Sequence, residues 1–171
     1  MSSNLLKPVA LSALLALAGC GFTPLYGGDA GATAAAQLDT VAVQNIPERP
    51  GQILRESLQT QFYVAGAPVQ ERYALSVTYT VTPSAIGILE DTASTRTRYT
   101  AKAMWTLSPI GTPAQVLAKG TATAMNAEDV IDQQYFAADL QTNTVNQQLA
   151  DEIATDITAQ LTAWFRTHPQ A

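Results

Sequence analysis

The chain has 171 residues, 47% of them hydrophobic and 13% charged, with nine basic against 14 acidic side chains for a net charge of -5. That is the size of one ordinary domain built around one core. The acidic balance disfavours binding of nucleic acid by bulk charge, because counterion release rewards a concentrated excess of Lys and Arg, and a single Cys excludes an internal disulfide framework.

Residues 1–19 read as an address rather than as structure. Lys7 supplies one positive charge, and Val9 to Ala18 is an apolar run of Leu and Ala that is too short to span a bilayer. The run ends in Leu17-Ala18-Gly19-Cys20, which is similar to the bacterial lipobox: small residues admit a peptidase, and the thiol accepts a diacylglyceryl group. The expectation is a lipoprotein signal peptide over 1–19 and cleavage before Cys20. Cys20 would then carry covalent diacylglycerol and N-acyl groups, with no other cofactor expected. Two or more acyl chains hold stably in a membrane where one does not. Gly21 stands where Asp retains many lipoproteins at the inner membrane, so the expected location is the periplasmic side of the outer membrane. Lys7 is the only charge in the leader, and its loss would leave 152 residues at a net charge of -6.

Residues 20–37 are expected to be the lipidated N-terminus and a flexible tether, since Gly27 to Ala36 is built of small residues. A single domain follows over 38–168. Leu38 to Ile46 is a short strand candidate closed by Pro47 and Pro50. From Gln52 to Val64, Leu54, Leu58 and Phe62 recur at the spacing of one helical stripe, and Gly66 and Pro68 stop it.

The pattern then changes to a period of two. Tyr73, Leu75, Val77, Tyr79 and Val81 point one way, with Ser and Thr between them pointing the other. A second alternation over Thr95 to Leu107 puts Tyr99, Ala101, Ala103, Trp105 and Leu107 inward and Arg96, Arg98, Thr100, Lys102 and Thr106 outward. A turn over Ser108 to Pro113 leads to a third strand from about Gln115 to Met125. Its inner positions are Val116, Ala118, Gly120, Ala122 and Ala124, and its outer ones include Lys119, Thr121 and Thr123. The last segment returns to a helical period, with Leu140, Val145, Leu149, Ile153, Ile157, Leu161 and Trp164 or Phe165 forming one stripe. The predicted fold is α+β, a two-layer sandwich in which a mostly antiparallel four-stranded sheet is covered on one face by two helices, in the order β-α-β-β-β-α.

Catalytic constellations are scarce. His168 is the only His and sits by the last residues, where fraying is expected, so a His-based triad or metal site has no rigid base. Glu128, Asp129 and Asp132 lack the spacing and Gly of a calcium loop and read as the solvated flank of the last helix. No P-loop, dinucleotide fingerprint or CxxC occurs, and no enzymatic activity is expected. The distribution of charge is more informative. Between Thr92 and Ala127 there is no Asp or Glu, while Arg96, Arg98, Lys102 and Lys119 give that segment +4 and leave the rest of the mature chain at -10. If the two strands pair across the Ser108 turn, all four cations share the polar face. Such a stripe suits an anionic ligand, since Arg offers a fork and Lys a point charge to phosphate; a solvated face that discourages edge pairing is the plainer reading.

Cys20 to Gly27, CGFTPLYG, resembles the start of the LPS-assembly lipoprotein family LptE, in its alphaproteobacterial branch. The resemblance extends loosely over the mature chain through the order of its elements. It implies a non-catalytic plug and assembly partner of the β-barrel LPS translocon LptD that helps deliver LPS to the outer leaflet. It also implies LPS binding by cations of the sheet. The run Asp91-Thr92-Ala93-Ser94 before Arg96 and Arg98 is similar to the family stretch leading to its LPS-contacting Arg, Lys119 falls on the strand that carries the other family cation, and Lys102 joins them by strand parity. The alternative class is another periplasm-facing lipoprotein adaptor, such as an activator of a peptidoglycan synthase or an auxiliary subunit in lipid transport.

Overall fold

The computed structural model describes residues 36–64, 70–88, 94–112, 115–129 and 135–168. The leader, Cys20, nearly all of the tether, Gly66, Pro68, Asp91 to Ala93, Pro113 and Asp132 lie outside them. The elements are β1 (Val41–Val43), α1 (Arg49–Phe62), β2 (Tyr73–Ile88), β3 (Ser94–Pro109), β4 (Ala118–Asp129) and α2 (Tyr135–Thr167). They form one mixed sheet in the order β1-β2-β3-β4, parallel between β1 and β2 and antiparallel elsewhere, with both helices packed on it. The α+β sandwich expected from the alternating periods is the fold observed.

The core is the inner face of the sheet against the helical stripes. Leu75, Val77, Ala101, Ala103, Trp105, Leu107, Ala122 and Ala124 meet Leu54, Leu58 and Phe62 of α1 and Val145, Leu149, Ile153, Ile157, Leu161 and Phe165 of α2. Alanines of β3 and of the edge strand β4 leave room for α2 on the sheet. Thr158 and Thr162 are buried on that helix without an orphaned hydroxyl, because each donates to the carbonyl four residues back, of Ala154 and Thr158.

Several boundaries move. β1 is only three residues long, since the chain turns into α1 once Gln44 N–H has bonded to the Leu75 carbonyl at 2.9 Å. Pro50 does not end a strand; it occupies the first turn of α1, where a missing N–H costs nothing. β2 and β3 reach 16 residues each, ~53 Å at ~3.3 Å per residue, and α2 reaches 33, ~50 Å at ~1.5 Å. The alternation fades after Val81 because Thr82 to Ile86 is exposed throughout, so no buried face writes a pattern there. Leu140 is 69% exposed rather than in the stripe, because a five-residue step to Val145 turns it by about 140°. Val116 is 53% exposed because β4 starts two residues later.

The β1-side edge of β2 explains Pro83. Leu75 directs its carbonyl to that edge, so by alternation Val77, Tyr79, Val81 and Pro83 face it too. No described strand pairs with β2 there beyond Leu75, and the absent N–H breaks no ladder bond.

Gly120 shows how α2 is locked onto the sheet. It lies opposite Trp105, whose indole N–H donates to Gln160 Oε1 at 3.2 Å, while Gln160 Nε2 donates to the Thr121 carbonyl at 2.9 Å. A Cβ at Gly120 would stand 2.7 Å from the indole ring and closer still to Gln160. Gly120→Ala is therefore expected to destabilise the fold by about 1–3 kcal/mol through overpacking, read as a lower denaturation midpoint with an unchanged denaturant slope.

Candidate functional site

The two helices cover one face of the sheet, and no described element covers the other. The outward side chains of β3 run Arg96, Arg98, Thr100, Lys102, Met104, Thr106. Ser84, Thr82, Thr80 and Thr78 of β2 lie opposite Arg98, Thr100, Lys102 and Met104. On the β4 side, Asp129, Ala127, Met125, Thr123, Thr121 and Lys119 lie opposite Arg96, Arg98, Thr100, Lys102, Met104 and Thr106. All four sequence-predicted cations therefore stand on this bare face. Lys119 joins it because the turn sets Thr106 across from it.

They are not a cluster. Arg98 and Lys102 are four residues apart along β3, ~13 Å at ~3.3 Å per residue. Lys119 lies a similar distance beyond Lys102 on the neighbouring strand. Arg96 is the exception in charge, because Asp129 Oδ1 lies 3.6 Å from its Nε. Asp129 falls two residues past the acid-free window and reaches Arg96 only because β4 continues past Met125. The pair is open to water, 54% and 77% exposed, so it offsets local charge more than it adds stability. Arg98, Lys102 and Lys119 have no ion-pair partner among the described residues.

Two hollows mark the face. One, of about 440 Å³, is lined by Thr78, Thr80, Thr82, Thr100, Lys102 and Met104. The other, of about 390 Å³, is lined by Arg96, Arg98, Met125, Asn126 and Ala127. Each sets cationic nitrogen beside an exposed thioether, Met104 being 51% and Met125 65% exposed. The two methionines escaped the sequence reading, although strand parity alone would have placed them outward.

The acidic candidates fall elsewhere. Glu128 and Asp129 end β4 instead of flanking α2, and strand parity sends them to opposite faces. Glu128 points inward, where its Oε1 accepts from Tyr99 Oη at 2.5 Å and from Thr142 Oγ1 at 3.1 Å, tying the sheet to α2. Burial, and then this hydrogen bond, push the Tyr99 phenol up. His168 is held rather than frayed. Its ring stacks on Trp164 with centroids 4.7 Å apart, and its backbone N–H donates to the Trp164 carbonyl at 3.0 Å. Among the described residues, no group of three or more His, Cys, Asp or Glu could hold a metal ion, and no helix is long and apolar enough to cross a membrane.

No protein-family model and no curated protein matches the sequence. The fold does match solved structures. A Caulobacter crescentus CB15 protein described as a lipoprotein superposes with a TM-score of 0.64 at 20% identity, covering 78% of this chain and 96% of its own. A minor lipoprotein from Acinetobacter baumannii gives 0.55 at 17% identity, covering 72% and 91%. Rare lipoprotein B from Shewanella oneidensis gives 0.54 at 10% identity, covering 77% and 98%. The architecture is thus that of a class of bacterial lipoproteins. At these identities the likeness establishes the fold.

Tyr79 lies on the inner face with its hydroxyl buried and without a hydrogen-bond partner, and burial pushes its pKa up to about 12. The folded state therefore favours the neutral phenol. The unfolded chain releases this proton near pH 10 while the folded chain retains it, so stability falls as pH rises from about 10 to about 12. Tyr79→Phe removes an unsatisfied group and is expected to raise the thermal midpoint or leave it unchanged, and to flatten that alkaline loss. Thermal melts of both proteins at neutral and alkaline pH check this.

Proposed function

We propose that the chain is a non-catalytic outer-membrane lipoprotein, anchored through Cys20, that binds LPS on the bare sheet face and partners the β-barrel translocon LptD. The observation that carries the reading is the uncovered face bearing Arg98, Lys102 and Lys119 without intramolecular ion-pair partners among the described residues. A cation already paired within the protein must exchange that partner to bind an anion, whereas these three are available. The threonines of β2 and β4 add hydroxyl donors for sugar or phosphate oxygen. The fold of lipoproteins in other bacteria and the CGFTPLYG block after the lipobox support the anchor and the resemblance to LptE. With the helical layer on one side, the domain can contact a barrel wall through its remaining surfaces while the cationic face holds or disperses LPS.

Two measurements test the reading. Reversing charge at Arg98 and Lys119 together is expected to weaken binding to LPS about tenfold or more, as the loss of two exposed charge-assisted contacts, with unaltered circular dichroism. Unchanged affinity refutes the face as the binding surface. Affinity purification of the tagged lipoprotein from detergent-solubilised envelopes should recover a stoichiometric β-barrel; a peptidoglycan synthase or a lipid transporter in its place refutes the translocon assignment.

A further inference from the structure

We infer that the end of the domain where the chain enters the fold rests on the bilayer that holds the anchor, with Val64, Ile110 and Val116 dipping into the headgroup layer. This rests on the Cys20 anchor proposed above and goes beyond it. An acylated terminus fixes where the chain is held, but not which surface of the domain meets lipid. The chain enters beside the start of β2, where the Thr40 carbonyl accepts from Arg72 N–H at 2.8 Å and from Tyr73 N–H at 3.2 Å. Three other segments meet at that level. Tyr63, just past α1, donates its hydroxyl to the Val41 carbonyl at 2.8 Å. Ile110, just past β3, donates its N–H to the Arg72 carbonyl at 3.0 Å. Phe165, near the end of α2, packs on Tyr73 with ring centroids 5.4 Å apart.

Each of these segments brings an apolar side chain that the core does not use. Val64 is 87% and Ile110 48% exposed, and Val116, on the same connection as Ile110, is exposed beside Leu117, whose N–H bonds to the Leu107 carbonyl. Trp164 of α2 is half-buried and stacked on His168, an amphipathic ring of the kind that settles where lipid meets water. Singly such residues need no explanation; here they come from three separate segments and share the end that receives the tether. Asp39 and Glu71 there are balanced by Arg72 and Arg166, so apolar contact rather than charge selects the surface. Reach points the same way. A Gly- and Ala-rich chain as long as residues 20–35 has a root-mean-square span of about 20–25 Å, less than half the ~53 Å of β2. The bilayer is therefore near this end and far from Ile86 and Leu140 at the other. Tethering at that distance makes even a weak apolar contact effectively intramolecular.

The test places single nitroxide labels on the full-length lipidated protein in phosphatidylcholine vesicles, at Val64→Cys, Ile110→Cys and Val116→Cys, with Ile86→Cys and Leu140→Cys as exposed controls at the far end. Acylation blocks Cys20, the one native thiol, so each label is unique. Power saturation then compares access of oxygen, which concentrates in lipid, with access of a water-soluble nickel complex. Labels at 64, 110 and 116 are expected to favour oxygen several-fold over the controls, at a depth of about 5–10 Å below the headgroup surface. Ratios equal to those of the controls overturn the seating. Shielding from oxygen and nickel alike also overturns it, because that marks contact with a second copy of the chain instead of lipid. In either case an acylated Cys20, confirmed by mass spectrometry, leaves the anchor standing, whereas an unacylated Cys20 overturns the anchor and the seating with it.

Discussion

One-sided packing of two helices on a regular antiparallel register is the constraint on which the rest depends. Side chains alternate along β3, β4 and β2 as far as Ala85, beyond which the β2 register shifts, and a slip of one residue would exchange the faces. Leu75, Ala103 and Ala122 would then meet water, while Lys102 and Thr121 would enter the core. Trp105 and Gly120 help fix the register: the indole needs the space above a residue without a side chain, and Gln160 of α2 closes over both.

The same constraint builds the functional surface. Because the apolar demand is met entirely on one side, the opposite face is free to carry residues chosen for something other than packing. What it carries is mixed in kind: hydroxyls on β2, cations on β3 and β4, and two exposed methionines among them. A solvated face with no role would tolerate carboxylates equally well. Yet across the described outer rows from Ser76 to Ser84, Arg98 to Thr106 and Lys119 to Ala127 there is none, although the chain as a whole is acidic. The acidic residues of the described segments lie instead at the end of β4, in the loops and on the helices, where Glu56, Asp151, Glu152 and Asp156 stand. Among the described residues the bare sheet face is the more positive side of the domain, which suits it to the anionic ligand proposed above.

The helices are joined to each other by polar contacts as well as by their stripes. Ser57 donates to Asp151 Oδ1 at 2.7 Å and accepts from Gln147 Nε2 at 3.3 Å, and Gln61 bonds to Thr155 and Thr158. Such a seam sets the relative position of α1 and α2 more narrowly than apolar contact alone, since hydrogen bonds are directional.

Much of this architecture is legible in the amino-acid sequence. Period two along Tyr73 to Val81 and Thr95 to Leu107, against a helical period from Val145 to Phe165, determined the layers, the inward residues and the common outward face of Arg96, Arg98 and Lys102, because a side chain's face follows from its parity once one side is buried. Sequence could not set what lies opposite what. That Asp129 meets Arg96, that Met125 stands across from Thr100, that Glu128 turns inward to Tyr99 and that β2 continues past Pro83 all depend on strand register and on where the helical cover ends. These are long-range pairings between segments whose local patterns are silent about each other, and only the tertiary structure decided them.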